Sequence, residues 1–144
     1  MINNYSKEDI NQINILGTEL NPNFEKLFHI GNLPENENII IVKEKNKIKG
    51  FLHYSKIFEC LEIQNIIVDK MWRNKGYASK LLNALITKNK DAQKIILEVN
   101  ENNIEAINFY QKHKFIEINR RPKYYKTGDA IIMERVLWKK MYIF

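Results

Sequence analysis

The stretch I-I-V-D-K-M-W-R-N-K-G-Y-A-S-K-L-L, from Ile66 to Leu82, constrains the fold more than any other part of this chain. A β-branched run, Ile66-Ile67-Val68, ends at Asp69. A polar turn then carries Arg73-Asn74-Lys75-Gly76-Tyr77-Ala78 into a segment with Leu81, Leu82, Leu85 and Ile86 at helical spacing. The pattern predicts a strand, a turn and a helix start. Such a junction gathers unpaired backbone N–H groups, the positive end of a helix dipole and basic side chains around one small volume, which suits a diphosphate. Gly76 lets the backbone approach phosphate oxygens without an intervening Cβ, and Ala78 is nearly as small. The three spaced glycines of a dinucleotide site and the G-x-x-x-x-G-K-[ST] of a hydrolytic nucleotide loop are both missing, so nucleotide hydrolysis is disfavoured. An ordinary basic helix N-terminus without a ligand is the plainer reading of the same residues.

A chain of 144 residues is one domain's worth. Its net charge of +6 and pI near 9.3 favour an acidic partner, but lysines alternate with acids, so a charged cofactor satisfies the bias as well as RNA does. A lone Cys60 excludes an intramolecular disulfide and a cysteine zinc site, and fits a reducing compartment. With neither an export leader nor a long apolar run in the sequence, the expectation is a cytoplasmic protein with no membrane partner.

Taken in order, Ile2 to Tyr5 reads as a short strand, and Ser6 with Asp9 caps a helix expected to Glu19. Phe24 to Ile30 suggests a second helix that stops near Gly31-Asn32. Asn38–Glu44 and Lys47–Lys56 form a hairpin around Lys45-Asn46, and Cys60–Val68 extends the meander. His53 falls within this meander, where a lone histidine is usually structural. Neither His29 nor His113 has a second ligand at metal spacing, so no metal is assigned. A helix from Tyr77 to about Asn89 then leads to a strand over Lys94–Val99, a crossover that makes the pair parallel and the sheet mixed. A helix over Asn103–His113 and strands over Phe115–Asn119 and Asp129–Leu137 follow, the strands pairing antiparallel around Arg120–Gly128. The aromatic tail, Trp138–Phe144, is expected to pack somewhere.

Glu98 interrupts an apolar strand, a costly place for a carboxylate unless it is hydrated or paired. Partial desolvation suits a general base for an ammonium that must lose a proton; a strand-end carboxylate paired with a lysine is the structural alternative. Asn103 and Tyr110 lie two helical turns apart, which places them on one face with Glu98 nearby. An unperturbed phenol titrates near ~10 and a thiol near ~8.5, so Tyr110 can assist a departing thiolate, unless it merely packs.

Arg73, Gly76 and Ala78 match the [QR]-x-x-G-x-[GA] loop of the GNAT acetyltransferase superfamily, and L-E-V-N-E-N-N-I-E-A-I-N-F-Y-Q-K-H-K-F resembles its second signature. Arg120-Arg121-Pro122-Lys123-Tyr124-Tyr125 followed by Asp129-Ala130-Ile131-Ile132-Met133 is similar to the R-R-x-Y-Y…D-A-I-x-M ending of RimI-type ribosomal-protein-alanine N-acetyltransferases. The matches run from Leu61 to Leu137, and the first sixty residues carry no comparable signature.

The resemblance implies an α/β fold with a mostly antiparallel sheet of about six or seven strands, a central parallel pair splayed apart, and about four helices. Residues 1–144 become one N-acetyltransferase domain, with an acceptor-side half at 1–60, a cofactor and catalytic half at 61–137, and a tail at 138–144. It implies acetyl-CoA as co-substrate, Glu98 as general base, Tyr110 as general acid and Asn103 as a cofactor contact. The backbone of Ile66, Ile67 and Val68 would pair with pantetheine amides, while Arg73, Asn74, Lys75, Gly76, Tyr77, Ala78 and Ser79 surround the pyrophosphate. Arg120, Tyr124 and Tyr125 would line the acceptor groove. Direct attack by the amine needs no acyl-enzyme; orientation and oxyanion polarisation near Val68 do the rest. The implied acceptor is the N-terminal alanine of a small-subunit ribosomal protein, with lysine or a small amine as alternatives, and the protein is expected as a monomer or homodimer. Lys114 stands where the pattern has a helix-ending glycine, which leaves that turn's geometry open. A basic RNA-binding surface around Tyr124-Tyr125 is the competing reading from another class.

Overall fold

The computed structural model describes residues Met1–Leu137, and the expected packing of the tail at 138–144 lies outside them. Seven strands are β1 (Ile2–Asn4), β2 (Glu37–Glu44), β3 (Lys47–Ile57), β4 (Cys60–Val68), β5 (Lys94–Asn100), β6 (Ile116–Tyr125) and β7 (Gly128–Val136). They join in the order β1-β2-β3-β4-β5-β7-β6. Four helices accompany them: α1 (Ile10–Leu20), α2 (Phe24–Phe28), α3 (Tyr77–Lys88) and α4 (Ile104–Lys112). β4 and β5 pair parallel, whereas β1–β2, β2–β3, β5–β7 and β6–β7 pair antiparallel, giving the mixed sheet that the strand–helix–strand crossover predicts. The residues fall into two compact units, one comprising Met1–Ser55 with Gln64–Lys90, the other Lys56–Ile63 with the chain from Asp91 onward.

In the first unit, alternation along β2 and β3 sends Ile39, Ile41 and Phe51 into a core with Ile13, Leu16, Phe24, Ile30, Ile48 and Ile67. Gly17 is required here, because a Cβ at that position would sit 2.5 Å from the Phe24 ring. The β2–β3 turn places Lys45 and Asn46 at φ of 50° and 63°, the left-handed pair of a tight hairpin. Ser6 and Asp9 form the predicted capping box, although a single 3-10 turn over Lys7–Asp9 precedes α1. Asp9 is buried and salt-bridged to Lys43 at 2.7 Å. The second helix is shorter than expected. It stops at His29, whose φ of 42° breaks the helix, and a separate 3-10 turn carries Ile30–Asn32.

In the second unit, β4 runs alongside β5 from Cys60↔Lys94 to Ile63↔Leu97. Ile95, Leu97 and Val99 alternate inward, with Ile131 and Met133 of β7 opposite Val99 and Leu97. β6 and β7 make a longer hairpin than the sequence indicated: β6 extends to Tyr125, so Arg120 to Tyr125 belong to a strand with register breaks rather than to a loop. Asn100 donates to Thr127 Oγ1 at 2.6 Å, Asn102 donates to the Thr127 carbonyl, and the Glu101 N–H donates to the Asp129 carbonyl at 2.9 Å. These bonds fasten the hairpin end to the segment after β5.

The end of α4 resolves the Lys114 question. Lys114 itself adopts the left-handed conformation, with φ of 70°. Phe115 N–H donates to the Tyr110 carbonyl at 3.0 Å and Lys114 N–H to Gln111 at 3.0 Å, the paired bonds of a Schellman closure. The Phe115 and Tyr110 rings meet with centroids 5.3 Å apart, supplying the apolar contact that accompanies the motif. The turn expected of glycine is therefore present, at the steric cost of a Cβ in left-handed backbone.

Candidate active site

In the first unit the candidate residues gather at the junction after β4. Asp69 N–H donates to the Lys49 carbonyl at 2.8 Å, and the Asp69 side chain accepts from Met71 N–H at 3.0 Å, capping a 3-10 turn over Lys70–Trp72 that the sequence pattern did not reveal. Arg73 turns back and donates from Nε to the Val68 carbonyl at 3.0 Å. The arginine thus braces the strand end through Nε. Asn74 and Gly76 both take left-handed backbone, at φ of 61° and 81°, and Gly76 is the residue from which α3 departs. A bond into α3 runs from Lys80 N–H to the Gly76 carbonyl at 3.0 Å, so the N–H groups of Tyr77 and Ala78 lie ahead of the helical ladder. No heavy atom of the described residues lies within 4 Å of where a Gly76 Cβ would stand. That open space beside helix-start donors is what a phosphate needs.

Tyr77 is placed differently from a ligand-facing ring. It is buried against Trp72, with centroids 6.4 Å apart, and burial together with nearby Glu44 pushes its phenol above the ordinary range. Its contribution to the loop is its backbone. Lys49 packs its ammonium 3.5 Å from the centre of the Trp72 ring and Lys75 lies 5.3 Å from the same ring, adding positive charge to the junction. Ile67 points into the core, whereas Ile66 and Val68 are half-buried.

In the second unit the candidate residues lie on β5, α4 and the β6–β7 hairpin. Glu98 is on the half-exposed face of β5, opposite the inward Leu97 and Val99, and its side chain is 25% exposed. The carboxylate is therefore hydrated as well as paired. Its partner is an arginine, not the lysine of the structural alternative: Arg121 Nη2 stands 3.2 Å from Glu98 Oε1. Tyr125 lies within electrostatic reach, its phenol pushed up by burial, by the Glu98 charge and by Tyr124. The Tyr124 and Tyr125 rings meet edge to face with centroids 5.0 Å apart, and the Arg121 guanidinium sits 5.6 Å from the centre of the Tyr124 ring.

Tyr110 is buried on α4 between Phe109 and Phe115, and burial drives its phenol far above the usual range. It stays protonated at any working pH. Asn103 is the residue before α4, where its side-chain oxygen accepts from Ala106 N–H at 3.2 Å. That is a capping role, and it leaves the amide nitrogen for a ligand.

Strand parity separates the two hairpin arginines. In the β5–β7–β6 register, Val99 faces Ile131 and Arg120, whereas Asn100 faces Ala130 and Arg121. Arg121 thus shares the face of Asn100 and Glu98, and Arg120 the opposite one. Arg120 pairs instead with Glu117 at 3.1 Å and Asp129 at 3.7 Å. Arg120, expected to line the acceptor groove, thus lies on the strand face opposite Glu98. A register break between Glu117 and Asn119 precedes both arginines, so simple alternation from the start of β6 does not show which of them faces Glu98.

Residues 8–115 match the Acetyltransferase (GNAT) family. The chain belongs to the GNAT acetyltransferase family. N-alpha-acetyltransferase 30 of Schizosaccharomyces pombe is 35% identical over 68 residues, a match covering 46% of this chain and 45% of that protein. The chain thus spans less than half the length of that curated relative. The ribosomal-protein-S18-alanine N-acetyltransferase from Escherichia coli superposes with a TM-score of 0.85 at 23% identity, covering 99% of both chains. Ard1 from Thermoplasma volcanium superposes with a TM-score of 0.81 at 26% identity, covering 96% of this chain and 98% of its own. The seven-stranded sheet with its parallel β4–β5 pair is the GNAT fold. Among the described residues there is no cluster of acids, histidines and cysteines able to hold a metal ion, and no helix long and apolar enough to cross a membrane.

Proposed function

We propose that residues 1–144 act as one acetyltransferase domain that moves an acetyl group from acetyl-CoA directly to a protein N-terminal amine, the RimI-type acceptor being an N-terminal alanine of a small-subunit ribosomal protein. What supports this reading is the Glu98 carboxylate on the half-exposed face of β5, paired with Arg121 at 3.2 Å, in a GNAT-family chain whose relatives include N-terminal acetyltransferases. Glu98, partly hydrated, accepts the proton that the incoming ammonium must lose, directly or through one water. Tyr110, kept protonated by burial, supplies a hydrogen bond or proton to the departing thiolate. Arg73 to Ser79 take the pyrophosphate, Ile66 to Val68 the pantetheine amides and Asn103 a further cofactor contact. Tyr124 and Tyr125 receive the acceptor. The cytoplasm is the compartment this acceptor requires.

The test is mass spectrometry of the products formed from acetyl-CoA and three competing acceptors: an alanine-ended peptide without lysine, an N-blocked peptide containing lysine, and a polyamine. The reading predicts acetyl on the α-amine of the first. An untouched alanine-ended peptide beside an acetylated lysine or polyamine overturns it.

A further inference from the structure

The β6–β7 hairpin carries more cation than its own acids neutralise. Arg120 is held by Glu117 and Asp129, and Glu101 adds to the negative field around it. Among the described residues, the one acid paired with Arg121 is Glu98. Lys123 and Lys126 form no ion pair among the described residues, and the segment from Arg120 to Lys126 contains no acid.

The Arg121–Glu98 pair is built to exchange. Its 3.2 Å separation is longer than the usual charge-assisted hydrogen bond, and the arginine side chain is 55% exposed. A pair of this kind holds weakly in water. Arg121 also rests on the Tyr124 face, so it keeps a second support when the carboxylate is taken away. An ammonium arriving at Glu98 competes with the guanidinium for the same oxygen. Once displaced, Arg121 is an unpaired cation beside the acceptor, with Lys123 and Lys126 on the same hairpin.

We infer that Arg121 is a specificity-determining residue: it stands in for the acceptor's ammonium at Glu98 and, when displaced, pairs with an acidic side chain directly behind the amine. The acceptor class is then an N-terminus with Asp or Glu in the following position, and acceptors with a second cation there are disfavoured by like charge. This rests on the proposed α-amine reading and narrows it.

The experiment measures steady-state acetylation of three peptides that begin Ala-Glu, Ala-Gln and Ala-Arg, are otherwise identical and contain no lysine. The wild type is expected to favour Ala-Glu over Ala-Gln by about five-fold in kcat/KM, chiefly through KM, with Ala-Arg poorest. The preference shrinks as salt is raised. In Arg121→Gln the Glu-to-Gln ratio falls to about one, and in Arg121→Glu the order inverts; thermal melts confirm that both variants fold. An unchanged ratio in Arg121→Gln, or a wild type indifferent to the second residue, overturns this inference while leaving α-amine acetylation intact. Acetylation of none of the three peptides overturns the α-amine reading, and the inference with it.

Discussion

Replacing Gly76 by alanine separates the two demands placed on that position. With φ at 81° the backbone is left-handed, which costs an L-residue roughly 1–2 kcal/mol, partly offset by the lower entropy of the unfolded alanine chain. A net loss of about 1 kcal/mol is expected. Unfolding entropy of about 2.1 cal/mol/K per residue over 144 residues converts this into a melting temperature lower by roughly 3 °C. Nothing in the described structure lies within 4 Å of the new Cβ, so no clash adds to that cost. If the open space receives the diphosphate, the methyl group displaces it, and calorimetric titration should show CoA binding at least about tenfold weaker, or 1.4 kcal/mol. Gly17→Ala is the control: its Cβ drives into Phe24 at 2.5 Å and destabilises by about 1–3 kcal/mol, with CoA affinity retained in the folded fraction. Wild-type CoA affinity in Gly76→Ala would refute the reasoning, since the loop would then be strained without being a phosphate site.

Other perturbations test other parts of the molecule. Lys114→Gly removes a left-handed Cβ from an otherwise complete helix closure and should raise stability by roughly 0.5–1 kcal/mol in urea unfolding; a loss would contradict the Schellman assignment. His53 is fully buried, with Nε2 2.7 Å from Glu37 and Nδ1 3.2 Å from the Asn65 amide, and burial lowers its pKa from 6.5 despite the opposing charge of Glu37. Its folded pKa lies below the unfolded one, so its contribution is present above pH 6.5 and is lost as pH falls below that value. Denaturant unfolding between pH 8 and 5 should therefore show a slope, up to about 1.4 kcal/mol per pH unit, that His53→Gln reduces. Equal slopes in the two proteins would contradict it.

Much of the fold was legible because local chemistry and tertiary position agree. Lys45-Asn46 supplies left-handed turn residues between two β-branched runs, and β4 occupies the predicted Cys60–Val68 span. Gly76 and the leucine period of α3 likewise specify their junction without outside help. What escaped depended on distant partners. His29 ends α2 in a conformation that favours glycine or asparagine, and no local rule singles out a histidine there. Arg121 rather than Arg120 meets Glu98 because of register, which is set by two neighbouring strands and interrupted by a bulge. Glu98 itself was recognisable as an anomaly in an apolar run, but its alternation with Leu97 and Val99 makes the site half-hydrated, a milder environment than the run suggested. Asn103 was singled out as a cofactor contact, and what the structure gives it is the capping of α4, which depends on where that helix begins.

Single-turnover acetyl transfer to an alanine-ended peptide, with CoA affinity measured in parallel, tests the assignment of Glu98 most directly. Glu98→Gln keeps the shape of the side chain and removes its basicity, so the rate should fall about 10²-fold or more while CoA binds as it does to the wild type; Tyr110→Phe should slow transfer in the same way. A Glu98→Gln protein that transfers acetyl at the wild-type rate would contradict the account at its centre.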